Sequence, residues 1–79
     1  MTTDARTFSE IWNSLGDVER VQLQDAIIRK TGASSNTFWF WKNGRSIPAS
    51  RTDRRSIARE ASNFLGHPVH DATLFPRKR

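Results

Sequence analysis

The chain has 79 residues, with thirteen Lys and Arg against eight Asp and Glu, five Phe, three Trp and no cysteine. A chain this short buries only about 60% of the surface it exposes when unfolded. That points to one domain without a deep catalytic cleft, and with no cysteine there is neither a disulfide nor a thiolate metal site to hold it. No apolar run approaches the roughly 20 residues of a membrane span, and MTTDARTFSE carries no signal-peptide pattern, so a cytoplasmic protein with no membrane partner is expected.

Residues 1–6 are expected to form a flexible N-terminus, and the domain to occupy residues 7–75. Phe8, Ile11, Trp12 and Leu15 recur at helical spacing, and Thr7 with Glu10 forms a capping box in which each side chain satisfies a free amide at the helix start. Gly16 ends this first helix and Asp17 is placed to cap the next. The second helix is predicted over about Val18 to Lys30, with Val21, Leu23, Ile27 and Ile28 as its apolar surface, closed by Gly32 in a left-handed conformation. A third helix starts in Ser34-Ser35-Asn36-Thr37, covers roughly Ser35 to Asn43, and stops at Asn43-Gly44.

After a Gly44–Pro48 link, Ser50 and Asp53 cap a fourth helix that reaches Leu65. Its apolar stripe is Ile57, Ala61, Phe64 and Leu65, and Gly66 stops it. The remainder holds at most one helical turn around Asp71–Leu74, before Pro76 and a basic tail over 76–79. With no β-alternation, repeat or low-complexity segment, the expected fold is all-α: a compact four- to five-helix bundle with short connections that contains a helix-turn-helix at about 24–44.

Charge is unevenly distributed. Residues 1–28 sum to −3, residues 29–59 to +7 and residues 60–79 to +1, which together give the net +5. The basic block therefore coincides with the third helix and its flanks, pointing to a polyanionic partner.

At about 100° per residue, Phe38 and Trp41 share one side of the third helix with Ser34 and are the natural core contacts. Asn36, Trp39, Phe40 and Asn43 then lie opposite, with Ser35 at the flank. Four consecutive aromatics, Phe38-Trp39-Phe40-Trp41, span most of the circumference, so at least one large ring should stay exposed unless Trp39 packs under the basic tail or the first helix. On DNA, Asn36 or Asn43 can pair with an adenine edge, Ser35 can reach a base or phosphate, and an aromatic ring can meet thymine methyls or sugars. Arg51, Arg55 and Arg59 recur every four residues opposite the fourth helix's apolar stripe. Arg51 and Arg55 lie nearer the helix start and the Gly44–Pro48 link, where backbone amides also favour phosphate. With Lys42 and Arg45 they are the expected phosphate contacts, while Arg77-Lys78-Arg79 adds affinity without register.

The run GASSNTFWFWKNGRSIP at 32–48 resembles, without a gap, the lambda repressor/Cro-like (XRE-type) helix-turn-helix DNA-binding proteins. It is particularly similar to small Bacteroides-type members with a T-F-x-x-W-x-N-G-[RK] reading helix. By that resemblance Gly32 is the turn glycine, Ala33 the apolar turn residue, Phe38 and Trp41 the buried positions, and Gly44 and Pro48 the close of the unit. Ser34, Ser35, Asn36, Trp39, Phe40 and Asn43 match positions that such proteins turn towards DNA, and Gln24 matches a residue that often touches phosphate. VHDATLFP resembles the family's last short helix, so the similarity covers about 24–75. The chain departs from the pattern at Ile28, where alanine or glycine allows two helices to cross closely, and at Thr31, where an apolar residue is usual.

The resemblance implies a sequence-specific regulator of double-stranded DNA, a repressor, with a homodimer on two half-sites for which exposed Trp39 or Phe75 could supply contacts. No small-molecule effector is expected. A protein-interaction module using the same aromatics, or single-stranded nucleic acid stacked on Trp39 and Phe40, are the alternatives. No enzymatic activity, cofactor or metal is expected: Pro68 lies between His67 and His70, no further clustered ligand adjoins Asp71, and no nucleophile–base pair or phosphate-cradling loop is evident.

Overall fold

In a computed structural model, residues 5–76 are described; residues 1–4 and 77–79, which include most of the expected N-terminal arm and basic tail, lie outside them. Within the described residues the chain forms five helices: α1 (Phe8–Ser14), α2 (Asp17–Thr31), α3 (Ser35–Lys42), α4 (Arg51–Leu65) and α5 (Asp71–Leu74). The all-α expectation holds among these residues.

Local chemistry sets the helix ends. Thr7 Oγ1 accepts the Glu10 amide at 3.2 Å and Glu10 Oε1 accepts the Thr7 amide at 2.9 Å, completing the capping box that starts α1. Carbonyls at the far end of α1 are met from α2: Arg20 Nε donates at 2.9 Å to Trp12 O, which also accepts the Leu15 amide at 3.2 Å, and Nη2 donates to Asn13 O at 3.2 Å. Nothing in the local sequence marked Arg20 for this role. Asp17 does not cap α2. It is already helical, Gly16 is the N-cap residue, and the Glu19 carboxylate takes the Gly16 amide at 3.1 Å. Ser50 Oγ accepts the Asp53 amide at 3.4 Å at the start of α4, and Gly66 closes that helix at φ +78°.

The core has two halves. α2 and α4 make the most extensive helix contact in the molecule, to which α2 brings Leu23 and Ile27 and α4 brings Ile57, Ala58 and Ala61. Ala58 was not part of the expected stripe, and Phe64 and Leu65 are only half-buried at its edge. Val21 is not part of α2's inner surface: it is 69% exposed, because it stands about 160° around the helix from Leu23. Val18 is exposed beside it.

The other half is aromatic. Phe8 of α1 lies 5.9 Å, edge to face, from Phe38 of α3, 5.5 Å from Phe75 after α5, and 6.4 Å from Trp12. Phe38 also meets Trp12 at 5.2 Å and Trp41 at 6.5 Å. Such ring pairs add about 0.5–1.5 kcal/mol each beyond the area they bury. Phe75 is only 4% exposed, so it cannot serve as an exposed dimer contact.

Ser62 joins the two halves at the C-terminal end. Its Oγ donates to Ala58 O at 2.7 Å and accepts the Val69 amide at 2.9 Å, holding the return segment against α4 so that Val69 is buried. The result is a slab of 35 × 34 × 20 Å with a radius of gyration of 11.4 Å, the dimension expected of a compact chain of this length (about 11.6 Å).

Phe8→Ala should lower unfolding free energy by about 3–5 kcal/mol, a large part of the roughly 5–15 kcal/mol of a small domain. Val21→Ala should change it by less than about 0.5 kcal/mol. Urea unfolding followed by far-UV circular dichroism reads both, and a large loss at Val21 would contradict the register of α2.

Candidate nucleic-acid interface

The polar and aromatic outer face centres on α3, and its orientation is fixed from both ends. At the entry, Gly32 takes φ +73° and donates its amide to Ile28 O at 2.8 Å. Thr31, in place of the apolar residue of the resembled pattern, bonds the turn with its hydroxyl: Oγ1 donates to Ile27 O at 2.8 Å and accepts the Ala33 amide at 3.3 Å. Ile28 is accommodated half-buried at the edge of the core, as is Ala33. Ser34 is the N-cap residue, its Oγ accepting the Thr37 amide and donating to Thr37 Oγ1, both at 3.1 Å. Its hydroxyl is therefore engaged by the helix it starts.

At the exit α3 stops at Lys42 and Asn43 is the cap residue, one position short of the expected end. Gly44, at φ +71°, donates to Trp41 O at 3.2 Å, and Arg45 donates to Phe40 O at 3.0 Å, the pair of bonds that defines a Schellman closure. The Ser46 amide also points at Phe40 O, at 3.3 Å. The amides of residues 44–46, in the link expected to favour phosphate, are thus bonded to α3.

Phe38 and Trp41 are buried, and the other two aromatics face out, Trp39 43% and Phe40 39% exposed. Their rings meet edge to face at 5.2 Å and 89°. The Arg45 guanidinium lies 5.8 Å from the Trp39 ring centre, a cation–π contact beyond the helix end. Ser35 and Asn36 are exposed on the first turn. Asn43 is exposed too, but its Nδ2 donates to Trp39 O at 2.8 Å, which ties the amide to its own helix.

The expected phosphate contacts divide into separate places. Lys42 leans away from the outer face, its Nζ 5.1 Å from the Trp12 ring centre, where Arg20 also stacks at 5.9 Å. Gln24, half-buried, lines a groove of about 490 Å³ with Val21, Asp25, Ile28 and Ser35, which brings it beside the start of α3. Asp25 in that groove is bridged to Arg29 at 2.8 Å, an exposed pair of small energetic weight.

Arg51 and Arg55 do not share a groove. Arg55 lines one of about 320 Å³ with Lys30 and Arg59, while Arg51 lines another with Arg54, Asp71 and Phe75. Arg54, unmarked by the sequence, donates from Nη1 to Pro48 O at 2.7 Å and to Ala49 O at 3.2 Å, bracing the link before α4. Arg77-Lys78-Arg79 lie outside the described residues.

Among the described residues no three His, Asp or Glu side chains gather as a metal-binding group, and no helix is long and apolar enough to cross a membrane. No protein-family model, curated protein or solved structure matches the chain.

Trp12 and Trp41 are 7% and 6% exposed, so Trp39 should be the one tryptophan readily quenched by acrylamide, and Trp39→Phe should remove that component. Trp39→Ala should leave stability within about 0.5 kcal/mol of wild type, against a loss of about 3–5 kcal/mol for Trp41→Ala. Equal quenching of all three tryptophans would contradict the arrangement of α3.

Proposed function

We propose that this protein is a sequence-specific double-stranded DNA-binding regulator, a repressor by resemblance. In this reading α2, the Gly32–Ser34 turn and α3 act as a helix-turn-helix, and α3 enters the major groove. The observation that carries the proposal is the outer face of α3: a short helix with no acidic side chain that presents Ser35, Asn36, Trp39 and Phe40 to solvent, with Arg45 alongside. An α-helix with its side chains is about 10–12 Å across, which fits a groove about 12 Å wide, and eight residues supply about two turns to lie in it.

Backbone phosphates would be met by Arg45, by Arg51 and Arg55 from their separate grooves, by Gln24 beside Ser35, and by Lys42 once it leaves Trp12. Lys30 and Arg59 adjoin Arg55 and extend the positive surface. Asn43 would contribute to base reading only by giving up its bond to Trp39 O. A homodimer on two half-sites belongs to the same proposal. With Phe75 buried, exposed Val18 and Val21 of α2, and Ile47 in the link after α3, are the large apolar side chains outside α3 that a second copy could use.

A protein partner is the second reading, favoured by the exposed Trp39–Phe40 pair, since exposed aromatic patches commonly have partners. Salt dependence separates the two. Fluorescence anisotropy on a generic labelled duplex, from about 50 to 300 mM salt, should give a log–log slope near −0.9 for each phosphate neutralised. Arg51→Ala/Arg55→Ala should reduce that slope by about two units, and a single strand should bind more weakly. No duplex binding at about 50 mM salt would overturn the DNA reading and leave the aromatic pair to a protein partner.

A further inference from the structure

The bases present different chemistry in the major groove. Guanine is read by bidentate Arg or Lys, cytosine by a carboxylate, adenine by the carboxamide of Asn or Gln, and thymine by apolar contact with its C5-methyl group. The outer face of α3 offers the last two, with the Ser35 hydroxyl, which does not by itself discriminate between bases, beside them. Its sequence, SNTFWFWK, has no carboxylate, and its single cation, Lys42, stacks on Trp12 on the inner flank. The adjoining Arg45 lies beyond the helix end with its guanidinium 5.8 Å from the Trp39 ring centre, engaged there in a cation–π contact. Of the two asparagines of α3 and its cap, Asn43 bonds to Trp39 O at 2.8 Å, which leaves Asn36, exposed on the first turn, as the carboxamide this helix offers to a base.

Beside it stand two large rings, 43% and 39% exposed, that support each other edge to face at 5.2 Å. Held in this way, they lose little freedom when something packs on them.

Resting on the duplex-DNA reading above, we infer that α3 selects A·T base pairs and reads thymine through its methyl group, with Trp39 and Phe40 as the methyl-contacting surface and Asn36 as the adenine contact. The substrate class is an A·T-rich half-site in duplex form. Specificity comes from apolar contact and one amide rather than from a guanine-reading cation.

The test uses the full chain and a pool of random duplexes about 20 base pairs long, selected at moderate salt, since affinity depends steeply on ionic strength. The enriched duplex is then made twice, once with thymine and once with deoxyuridine at every thymine, which removes the methyl groups and keeps the pairing. A·T pairs should dominate the enriched core, and deoxyuridine should weaken binding about fourfold for each contacted methyl. Trp39→Ala/Phe40→Ala should abolish the thymine–uracil difference and weaken binding to the selected site, with the salt slope set by the phosphate contacts unchanged. Asn36→Ala should cost roughly tenfold on the selected site. Thermal melts establish that these surface variants fold.

An enriched core built on G·C pairs, or equal wild-type affinity for the two duplexes, would overturn the inference and leave duplex binding standing. Failure to bind any duplex at about 50 mM salt, or tighter binding to a single strand, would remove the DNA reading itself and the inference with it.

Discussion

The edge of the Phe38 ring, set against Phe8 and Trp12 at 5.9 and 5.2 Å, is the contact on which the rest of the candidate interface depends. A helix of eight residues is too short to hold its shape alone in water, because nucleation costs more than so few hydrogen bonds return. The existence and orientation of α3 therefore come from its two buried rings, Phe38 and Trp41. Once these face inward, the 100° step of the helix leaves Trp39 and Phe40 no place in the core. Their exposure follows from the packing of their neighbours, and it gives the outer face its chemistry.

The aliphatic half of the core serves as the frame. α2 and α4 pack through short and branched side chains, and the alanines of α4 keep the layer thin. The turn from α2 into α3 is fixed by hydrogen bonds as well as apolar contact, with the Thr31 hydroxyl bridging Ile27 O and the Ala33 amide. A polar residue can replace an apolar one there because its hydroxyl accepts the Ala33 amide, for which a methyl group would be no partner, and turns its own proton to Ile27 O.

Among the described residues, the cations other than Arg6 and the Asp25-paired Arg29 fall into two populations that a charge tally merges. Arg20 and Arg54 donate to backbone carbonyls at the end of α1 and in the link before α4, and Lys42 and Arg20 lie over Trp12. These side chains still contribute positive potential, but their geometry is set by the fold. Arg51, Arg55 and Arg59 are exposed and available to a polyanion, with Lys30 beside the latter two and Arg45 resting on Trp39. The basic surface thus extends beyond α3 along α4, while the outer face of α3 itself stays uncharged. That division fits a protein in which charge supplies affinity and the uncharged helix face supplies discrimination.

Most helix boundaries with a local cause were legible in the sequence, the start of α2 excepted, where Gly16 and Glu19 rather than Asp17 make the cap. Thr7 with Glu10, Ser34, Ser50, and the glycines at 32, 44 and 66 mark their ends because a free backbone amide or carbonyl must find a partner within a few residues. The inward turn of Phe38 and Trp41 was legible for the same reason, since helical periodicity is a property of the chain alone. Tertiary structure decided what periodicity leaves open. Val21 faces solvent because α4 lies against Leu23 and Ile27, and Phe75 is buried because α1 places Phe8 over it. Lys42 turns to Trp12, Arg54 to the Pro48 carbonyl, and Asn43 to the backbone of its own helix, so fewer groups face outward than residue type and spacing imply. Composition determines which groups a chain can offer. Which of them remain free depends on the partners the fold supplies, a turn away for Asn43, in the adjoining link for Arg54, and on a distant helix for Lys42.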